Sequence, residues 1–492
     1  MKILQNYING QWIDAENSDY LDVENPSTGE VLAKVPLTTA VQANRAVAAA
    51  RAAFGGWSTT PVARRAEYMY SLVSLLRTNE EKISRVLTED MGKSLPDSRA
   101  EMKRVFQNIE AACGAPILQQ GSKMIGCAKG IDGEVINLPI GVFAAITPFN
   151  FPAMAPFWFI PYAIVTGNTF ILKPSELVPL TMDVIAEHID QIGLPPGVFN
   201  LVHGDKIAAS AFIDNPDVDG VSFVGKSAIC KEIATKCATA NKRYQAMGSA
   251  KNHLVVMPDY AHMDELIRNM TTSCFGCAGQ RCMASSAIVA IGDEMYKKVC
   301  EKFVEDSRKF ITANPLDAKV AEETMLTGPV ITAKSKQFIL GMIETGIKEG
   351  ATLALDGRDV KVSGGQNGHF IGPTVFTDVK PGMEIHKTEI FAPVVVILKA
   401  DTLDEAIKII NDHQYANACS IYTQNGHYAR KFKLEARCGM IGINVGIPAP
   451  VPFLPFGGMD NSMMSDIKMQ GKSALKFFTH DKVIVERYWQ ED

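Results

Sequence analysis

The run Phe275-Gly-Cys-Ala-Gly-Gln-Arg-Cys-Met-Ala284 places Cys282 directly after Arg281, with glycines at 276 and 279. A thiol flanked by small residues on a turn can be approached closely by a carbonyl carbon. A guanidinium beside it can hold an anion and favour the thiolate. The pair therefore points to a cysteine nucleophile acting on small anionic carbonyl compounds. A buried cysteine beside a surface arginine is the plainer reading of an Arg-Cys pair taken alone, so the rest of the chain must decide. Cys274-x-x-Cys277, just upstream, could suggest a metal or redox pair. No second Cys-x-x-Cys or paired His follows at zinc spacing, so these residues read as small packing groups beside the turn and no metal is expected. The nine histidines show no His-x-x-x-His pairing and no consistent clustering.

Two further segments carry chemistry. The apolar run Thr169–Leu172 leads straight into Lys173-Pro174-Ser175-Glu176, and the run ending at Phe223 leads into Val224-Gly225-Lys226-Ser227. A lysine and a glutamate at a strand's end suit a ribose diol, and the carboxylate would repel a 2′-phosphate, favouring NAD over NADP. A turn opening a helix after the second run suits a pyrophosphate. Taken alone, Lys-Pro-Ser-Glu reads equally well as a helix N-cap with solvated charges. The Gly-x-Gly-x-x-Gly fingerprint after a strand is missing.

These residues need elements to position them, and the pattern supplies alternating strands and helices. Residues 7–36 read as short hairpins with turns at Asn9-Gly10 and Thr28-Gly29-Glu30. Residues 40–112 are rich in helix formers at helical spacing, notably Val41–Phe54 and Arg64–Gly92. Buried strands are predicted at Val142–Ile146, Thr169–Leu172, Val198–Leu201 and Gly220–Phe223, with helices over Leu180–Ile192 and Ile207–Ile213 between them. A second series follows: a strand at Leu254–Met257, a helix over Met263–Cys274, a strand at Ala287–Ile291 and a helix over Glu294–Ile311, continuing to about Val445. Such alternation implies parallel, doubly wound sheets in two α/β domains. The strand-like run Ser473–Tyr488 lacks a local partner and reads as an addition to a neighbouring subunit's sheet.

Composition sets the outer bounds. The 492 residues are 47% hydrophobic with a net charge of −5 and mixed signs throughout, which marks no polyanion-binding surface and no nucleic-acid partner. Ten scattered cysteines fit a reducing cytosol better than a disulfide framework, and the N-terminus is no secretory signal, so a cytoplasmic protein is expected. Val135–Leu172 carries no charge, but Pro152, Pro156, Pro161 and Gly167-Asn168 would break a lone helix in lipid. That stretch reads as buried core rather than a membrane span.

Together the motifs resemble the aldehyde dehydrogenase superfamily over nearly the whole chain. They are Thr147-Pro-Phe-Asn-Phe-Pro152, Gly167-Asn-Thr-Phe-Ile-Leu-Lys-Pro-Ser-Glu176, Phe223-Val-Gly-Lys226, Phe275…Gly279-Gln-Arg-Cys282, Glu389-Ile-Phe-Ala-Pro393 and Pro455-Phe-Gly-Gly458. The resemblance implies an α/β fold of two doubly wound domains, cofactor and catalytic, with a small β oligomerisation element. Residues 1–116 and 139–246 then form the NAD-binding domain, 247–446 the catalytic domain, and 117–138 with 471–492 the oligomerisation element of a homodimer or homotetramer. Residues 447–470 return to line a substrate tunnel. It further implies Cys282 as nucleophile and Asn150 as oxyanion donor, aided by the Cys282 N–H. Lys173 and Glu176 match contacts to the adenosine ribose, Glu389 the nicotinamide ribose, and Phe391 lies close to the ring. Thr147, Phe149, Gly225 and Lys226 complete the cofactor seat. The chemistry implied is thiolate attack on an aldehyde, hydride transfer to NAD and an enzyme thioester.

The informative departure concerns how that thioester is released. Hydrolytic members carry Glu-Leu-Gly-Gly, whose glutamate activates water; here the segment is Ala246-Met247-Gly248-Ser249. The branch with this substitution, together with Ala250-Lys251-Asn252-His253, is the methylmalonate- and malonate-semialdehyde dehydrogenases, which pass the acyl group to coenzyme A. In that branch Arg104 matches a second substrate-binding arginine beside Arg281, and two guanidiniums can clamp one small anion. A sulfonate or longer carboxylate would also suit two arginines. Hydrolytic turnover of another anionic aldehyde and a catalytically inactive scaffold are the other readings. Lys226 stands where the family usually has a serine, and Ile447-Pro-Ala-Pro-Val-Pro-Phe-Leu-Pro-Phe-Gly-Gly458 keeps the branch's proline-rich character without every residue.

Overall fold

In the computed structural model, which describes residues 1–17 and 19–489, Asn9 and Gly10 both take positive φ, 54° and 75°. A two-residue hairpin demands that geometry, and it joins β1 (Asn6–Ile8) to β2 (Gln11–Ile13). A second antiparallel pair, β3 (Tyr20–Glu24) and β4 (Val31–Pro36), turns through the Thr28-Gly29-Glu30 segment.

Four helices follow: α1 (Ala40–Ser58), α2 (Val62–Thr78), α3 (Glu80–Met91) and α4 (Leu95–Cys113). The single helical stretch expected over 64–92 is divided at Asn79, whose side-chain amide donates to the Leu75 carbonyl at 2.9 Å. Asparagine competes for backbone groups in this way and so favours helix ends. The α3–α4 junction is written locally: Gly92 takes the left-handed φ of a helix stop (85°), Ser94 caps α4 by accepting from Asp97 N, and Pro96 sits in the first turn.

After a ribbon of β5 (Ser122–Ala128) and β6 (Ile131–Pro139) comes the first large sheet. Its strands are β7 (Val142–Ile146), β8 (Thr169–Lys173), β9 (Phe199–Leu201), β10 (Gly220–Val224) and β11 (Arg243–Met247). The order is β11-β10-β7-β8-β9-β1-β2, parallel through the first five and closed by the N-terminal hairpin. Both faces are covered. Phe143 and Ala145 join the core under Phe106 and Ile109, while Val142, Ala144 and Ile146 join the one under Ala46, Val47 and Phe212. Burial on both sides is why these strands read as unbroken apolar runs. The crossover helices are α5 (Ile160–Thr166), α6 (Leu180–Gln191), α7 (Lys206–Asp214) and α8 (Ser227–Thr239). The uncharged stretch around Phe151–Leu172 is core: it holds a tight turn at Pro156–Trp158, the seven-residue α5 and the start of β8. Among the described residues no helix is long and apolar enough to cross a membrane.

The chain leaves β11 and enters β12 (His253–Val256) of a second sheet within five residues, 248–252. Next come α9 (Met263–Phe275), β13 (Ala287–Ile291), α10 (Asp293–Ser307), β14 (Thr352–Leu355), β15 (Thr374–Thr377), β16 (Val394–Ala400), β17 (Ala418–Tyr422) and β18 (Met440–Ile443). Their order is β14-β15-β16-β13-β12-β17-β18, parallel except for the β14 edge.

The C-terminal expectation needs correction. Residues Gly471–Phe477 form a helix, and β19 (Thr479–Arg487) pairs antiparallel with β6 of its own chain, from Thr479 opposite Pro139 to Arg487 opposite Ile131. The partner strand lies about 340 residues upstream, where no local pattern can reveal it. The ribbon β19-β6-β5 leaves Met124, Ile125, Val483 and Val485 exposed. Residues 490–492 of the expected oligomerisation element lie outside the described residues.

Candidate active site

The first sheet reverses its winding at β7: β8 and β9 extend to one side, β10 and β11 to the other. The crevice at such a switch point, beyond the carboxyl ends of the strands, is where a nucleotide fits. Thr147 follows β7, Lys173 ends β8, and Gly225-Lys226 follow β10. Thr147 N donates to the Lys173 carbonyl at 3.1 Å, while Thr147 Oγ1 is buried and without a hydrogen-bond partner. Lys173 Nζ donates to Glu176 Oε2 at 2.7 Å. Gly225 N donates to the Met247 carbonyl, and exposed Lys226 occupies the N-cap of α8 without a side-chain capping bond. An unpartnered hydroxyl, a lysine–carboxylate pair and an open helix terminus together fit a dinucleotide. Phe149 and Phe391 meet edge to face, centroids 5.8 Å apart, with Phe391 held at a positive φ of 58°.

Asn150 lies on the loop after β7, and the loop is fixed from α4. Lys93, just past α3, donates to the Asn150 carbonyl at 2.7 Å and to Glu101 Oε2 at 2.5 Å. The other Glu101 oxygen accepts from the Ala153 and Met154 amides at 2.9 and 2.8 Å. The Lys93 ammonium also sits 4.0 Å from the Phe151 ring centre. Both charged side chains are wholly buried, so each depends on the other for charge compensation. Sequence reading missed this clamp; a lysine and a glutamate eight residues apart across a helix start look solvated.

The nucleophile turn is built differently. Cys277 and Ala278 take left-handed φ/ψ (52°/33° and 53°/36°), followed by Gly279 at φ 67°. Each non-glycine residue there costs about 1–2 kcal/mol. Gly279 allows no side chain: an added Cβ would lie 2.0 Å from the Ala392 carbonyl oxygen, in the loop carrying Glu389 and Phe391. Gln280 ties the turn down, accepting from Ile331 N and donating to the Pro329 carbonyl. Asn150 Nδ2 donates to the Gln280 carbonyl at 3.0 Å, so the predicted oxyanion donor and the turn bearing Cys282 are in direct contact. Cys274 and Cys277 face different partners: Cys274 Sγ meets the Ser285 carbonyl, and Cys277 Sγ meets Arg281 Nε at 3.2 Å and Asp97.

Arg281 departs from the simple expectation. Its guanidinium lies against Gly276 and is ion-paired with Asp97 at 2.6 Å. Burial works against the Asp97 carboxylate, but the Arg281 and Lys93 charges outweigh it and hold that group below its usual range. With Arg281 so compensated, burial and then the Glu389 charge push the Cys282 thiol up to about 12, and the Arg281 charge opposes this only weakly. The adjacent guanidinium therefore does not by itself produce a thiolate. Arg104 is two turns from Asp97 along one face of α4, about 10 Å. It donates to Gln107 and has no carboxylate partner among the described residues.

The linker between the sheets completes the site. Ala246, on β11, is fully buried and presents only a methyl group. Ala250 N donates to Glu389 Oε1 at 2.9 Å. Burial raises Glu389 above the usual carboxylate range, against the Ala250 and Ser249 hydrogen bonds and the Lys251 and Lys226 charges. Lys251, pushed down to about 7 by burial, donates to the Ile385 and Thr388 carbonyls just ahead of Glu389. Below it, His253, His386 and His413 form a triangle with ring centres 5.1–5.3 Å apart. His253 Nε2 and His386 Nε2 are 2.8 Å apart, so one donates and the other accepts. This clustering was invisible in sequence because each member comes from a different element. Ile447 and Ala449 of the return segment pack against the same core as Cys282.

The sequence profile of the aldehyde dehydrogenase family matches residues 12–484. A malonate-semialdehyde dehydrogenase of Geobacillus kaustophilus is 42% identical over 486 residues, covering 99% of this chain and 98% of the relative. A provisionally assigned methylmalonate-semialdehyde dehydrogenase of Sinorhizobium meliloti, solved with NAD, superposes with a TM-score of 0.96 at 38% identity, covering 100% of this chain and 99% of the other. A methylmalonate-semialdehyde dehydrogenase of Oceanimonas doudoroffii gives the same TM-score at 37% identity and the same coverage. Fold and full-length similarity agree, and the chain belongs to the aldehyde dehydrogenase family.

Proposed function

We propose that the protein oxidises malonate semialdehyde or its 2-methyl homologue with NAD and passes the acyl group to coenzyme A. The observation that carries this reading is Ala246: the buried position that holds a water-activating glutamate in hydrolytic relatives offers no proton acceptor. Cys282 is the nucleophile, and Asn150 with the Cys282 N–H supplies the donors for the oxyanion. Arg104 receives the substrate's acid group, while Arg281, paired with Asp97, fixes the turn beside it; relatives of this chain are named for malonate and methylmalonate semialdehydes. Lys173, Glu176, Glu389, Phe149, Phe391, Thr147, Gly225 and Lys226 hold NAD, which supplies the hydride acceptor. For malonate semialdehyde the reaction balances as aldehyde, NAD⁺ and CoA-SH giving acetyl-CoA, CO2 and NADH; the methyl homologue gives propionyl-CoA. An acidic aldehyde bearing a sulfonate or a longer carboxylate is a second reading, favoured by Arg104 having no carboxylate partner among the described residues.

In this reading residues 1–116 and 139–246 serve the cofactor, 247–446 catalysis and 447–470 the substrate tunnel. The ribbon from 117–138 and the C-terminal strand assembles a homodimer or homotetramer through its exposed apolar face. Ten free thiols suit a cytoplasmic location.

The test supplies malonate semialdehyde and NAD with and without CoA and follows NADH and acyl-CoA. CoA-dependent turnover with acetyl-CoA as product is expected; a rate unaffected by CoA, with free acid released, overturns the acyl-transfer reading. Ala246→Glu should add CoA-independent hydrolysis.

A further inference from the structure

The Cys282 carbonyl belongs to no helix and no ladder, since β13 begins only at Ala287. A buried backbone carbonyl needs partners, and this one takes both from side chains. Asn252 Nδ2 and Asn417 Nδ2 each lie 2.9 Å from its oxygen. A carbonyl can only accept, so the amide NH2 groups must be the atoms facing it.

Both asparagines are buried, 3% and 2% exposed, and each immediately precedes one of two adjacent parallel strands, β12 and β17. They are themselves pinned. Asn252 Oδ1 accepts from Ala418 N at 3.1 Å, and its NH2 also reaches the Ala284 carbonyl at 3.0 Å. Asn417 reaches Met283 Sδ at 3.3 Å, while Gly458, where a side chain would crowd Asn417, leaves it room.

We propose that Asn252 and Asn417 are positioning residues for the nucleophile: by holding the Cys282 carbonyl they set the direction in which the thiol meets the aldehyde. The proposal rests on Cys282 being the nucleophile. Fixing the peptide after Cys282 fixes its ψ, and with it the Cα–Cβ direction. The turn ahead of it is left-handed and strained, and its short i→i+3 hydrogen-bond pattern ends with Gln280 N donating to the Cys277 carbonyl, two residues before Cys282. The two NH2 dipoles also offset the negative end of the carbonyl dipole, which would otherwise oppose a charge developing on the adjacent sulfur.

Asn417→Ala, Asn252→Ala and Asn417→Ser, which keeps a short donor, test it in the full-length protein. Two measurements apply: the first-turnover rate of NADH formation, and the pH profile of Cys282 alkylation by iodoacetamide, located by peptide mass spectrometry. The expected result for Asn417→Ala is a first turnover slower by about 10²-fold, the cost of a 1 Å misplacement. The KM for NAD should be unchanged and the alkylation midpoint should move to higher pH. Asn417→Ser should recover part of both. If Asn417→Ala does not fold, Asn252→Ala carries the same readouts in the same direction. A folded variant with wild-type first turnover and an unmoved alkylation midpoint overturns the proposal. Alkylation needs neither aldehyde nor CoA, so a failure of the acyl-transfer reading leaves this result separately interpretable.

Discussion

The two loops that meet across the site, residues 147–154 and 276–282, are secured by opposite means. The Asn150 loop is held by a fully buried ion pair, Lys93 with Glu101, whose charges reach its carbonyl and amides directly. The Cys282 turn is held by neutral amides from Gln280, Asn252 and Asn417 and by one compensated ion pair, Arg281 with Asp97, whose carboxylate also accepts from Cys277 N, around a backbone bent into left-handed conformation. The difference follows from what each loop must tolerate. In the proposed mechanism Asn150 stabilises an anion that exists only in the transition state, so a fixed cation behind it does no harm in the resting enzyme. Cys282, as the proposed nucleophile, has to cycle between thiol, thiolate and thioester, and a net charge locked against it would favour one of these throughout. Where a charge does adjoin it, at Arg281, Asp97 compensates that charge.

The largest effect should come from breaking the charged clamp. Removing one partner of a buried ion pair leaves the other uncompensated, at a cost of about 3–5 kcal/mol. Lys93→Met and Glu101→Gln should each lower the thermal midpoint steeply or abolish soluble expression. The double variant Lys93→Met/Glu101→Leu should recover only part of the stability and none of the activity, because the Asn150 carbonyl and the Ala153 and Met154 amides still lack their partners. A single variant with the wild-type midpoint would break the comparison.

Ala278→Gly probes the strained side. Relief of the left-handed conformation, less the extra chain entropy of glycine, should stabilise the protein by about 0.5–1 kcal/mol. A raised thermal midpoint with slower first-turnover NADH formation is the expected outcome. A lowered midpoint would mean that the turn stores no strain.

A third effect concerns pH. Asp90, at the end of α3 behind the charged clamp, accepts from Thr181 N and Oγ1, yet burial pushes its carboxyl up to about 7. An acid raised in the folded state contributes stability that is complete below its unfolded value, near 4. That stability is lost as pH climbs through about 7. Asp90→Asn should therefore flatten the decline of the thermal midpoint between pH 5 and 8, by on the order of a degree or two. Parallel curves for the two proteins would remove Asp90 from the account.

Much of this arrangement could be read from the sequence, and the missing part has a common cause. Cys282, Asn150, Lys173 and Glu389 stand in short motifs whose chemistry is local, and the strands that lead to Asn150 and end in Lys173 are apolar runs ended by turn residues. The α3–α4 junction was equally local, with Gly92, Ser94 and Pro96 in consecutive cap positions. What escaped was every choice of partner made across the chain. Lys93 could have paired with solvent, Arg281 could have remained free for an anion, and the three histidines come from segments up to 160 residues apart in sequence. Asn252 and Asn417 look like ordinary loop residues until the sheet brings β12 beside β17. Hydrogen-bond partners at this distance are fixed by tertiary packing, not by periodicity or turn chemistry.

The pairing of β19 with β6 also bears on how the chain is made. Pro139 and Thr479 are opposite each other in the ribbon, with 340 residues between them. At a synthesis rate of roughly 5–20 residues per second, β6 has emerged about 20–70 s before its partner exists. Through that interval both α/β domains can close while the strand's edge stays open. The ribbon's exposed apolar face, proposed above as the assembly surface, is therefore finished last, and that assembly would be separated in time from the folding of each subunit.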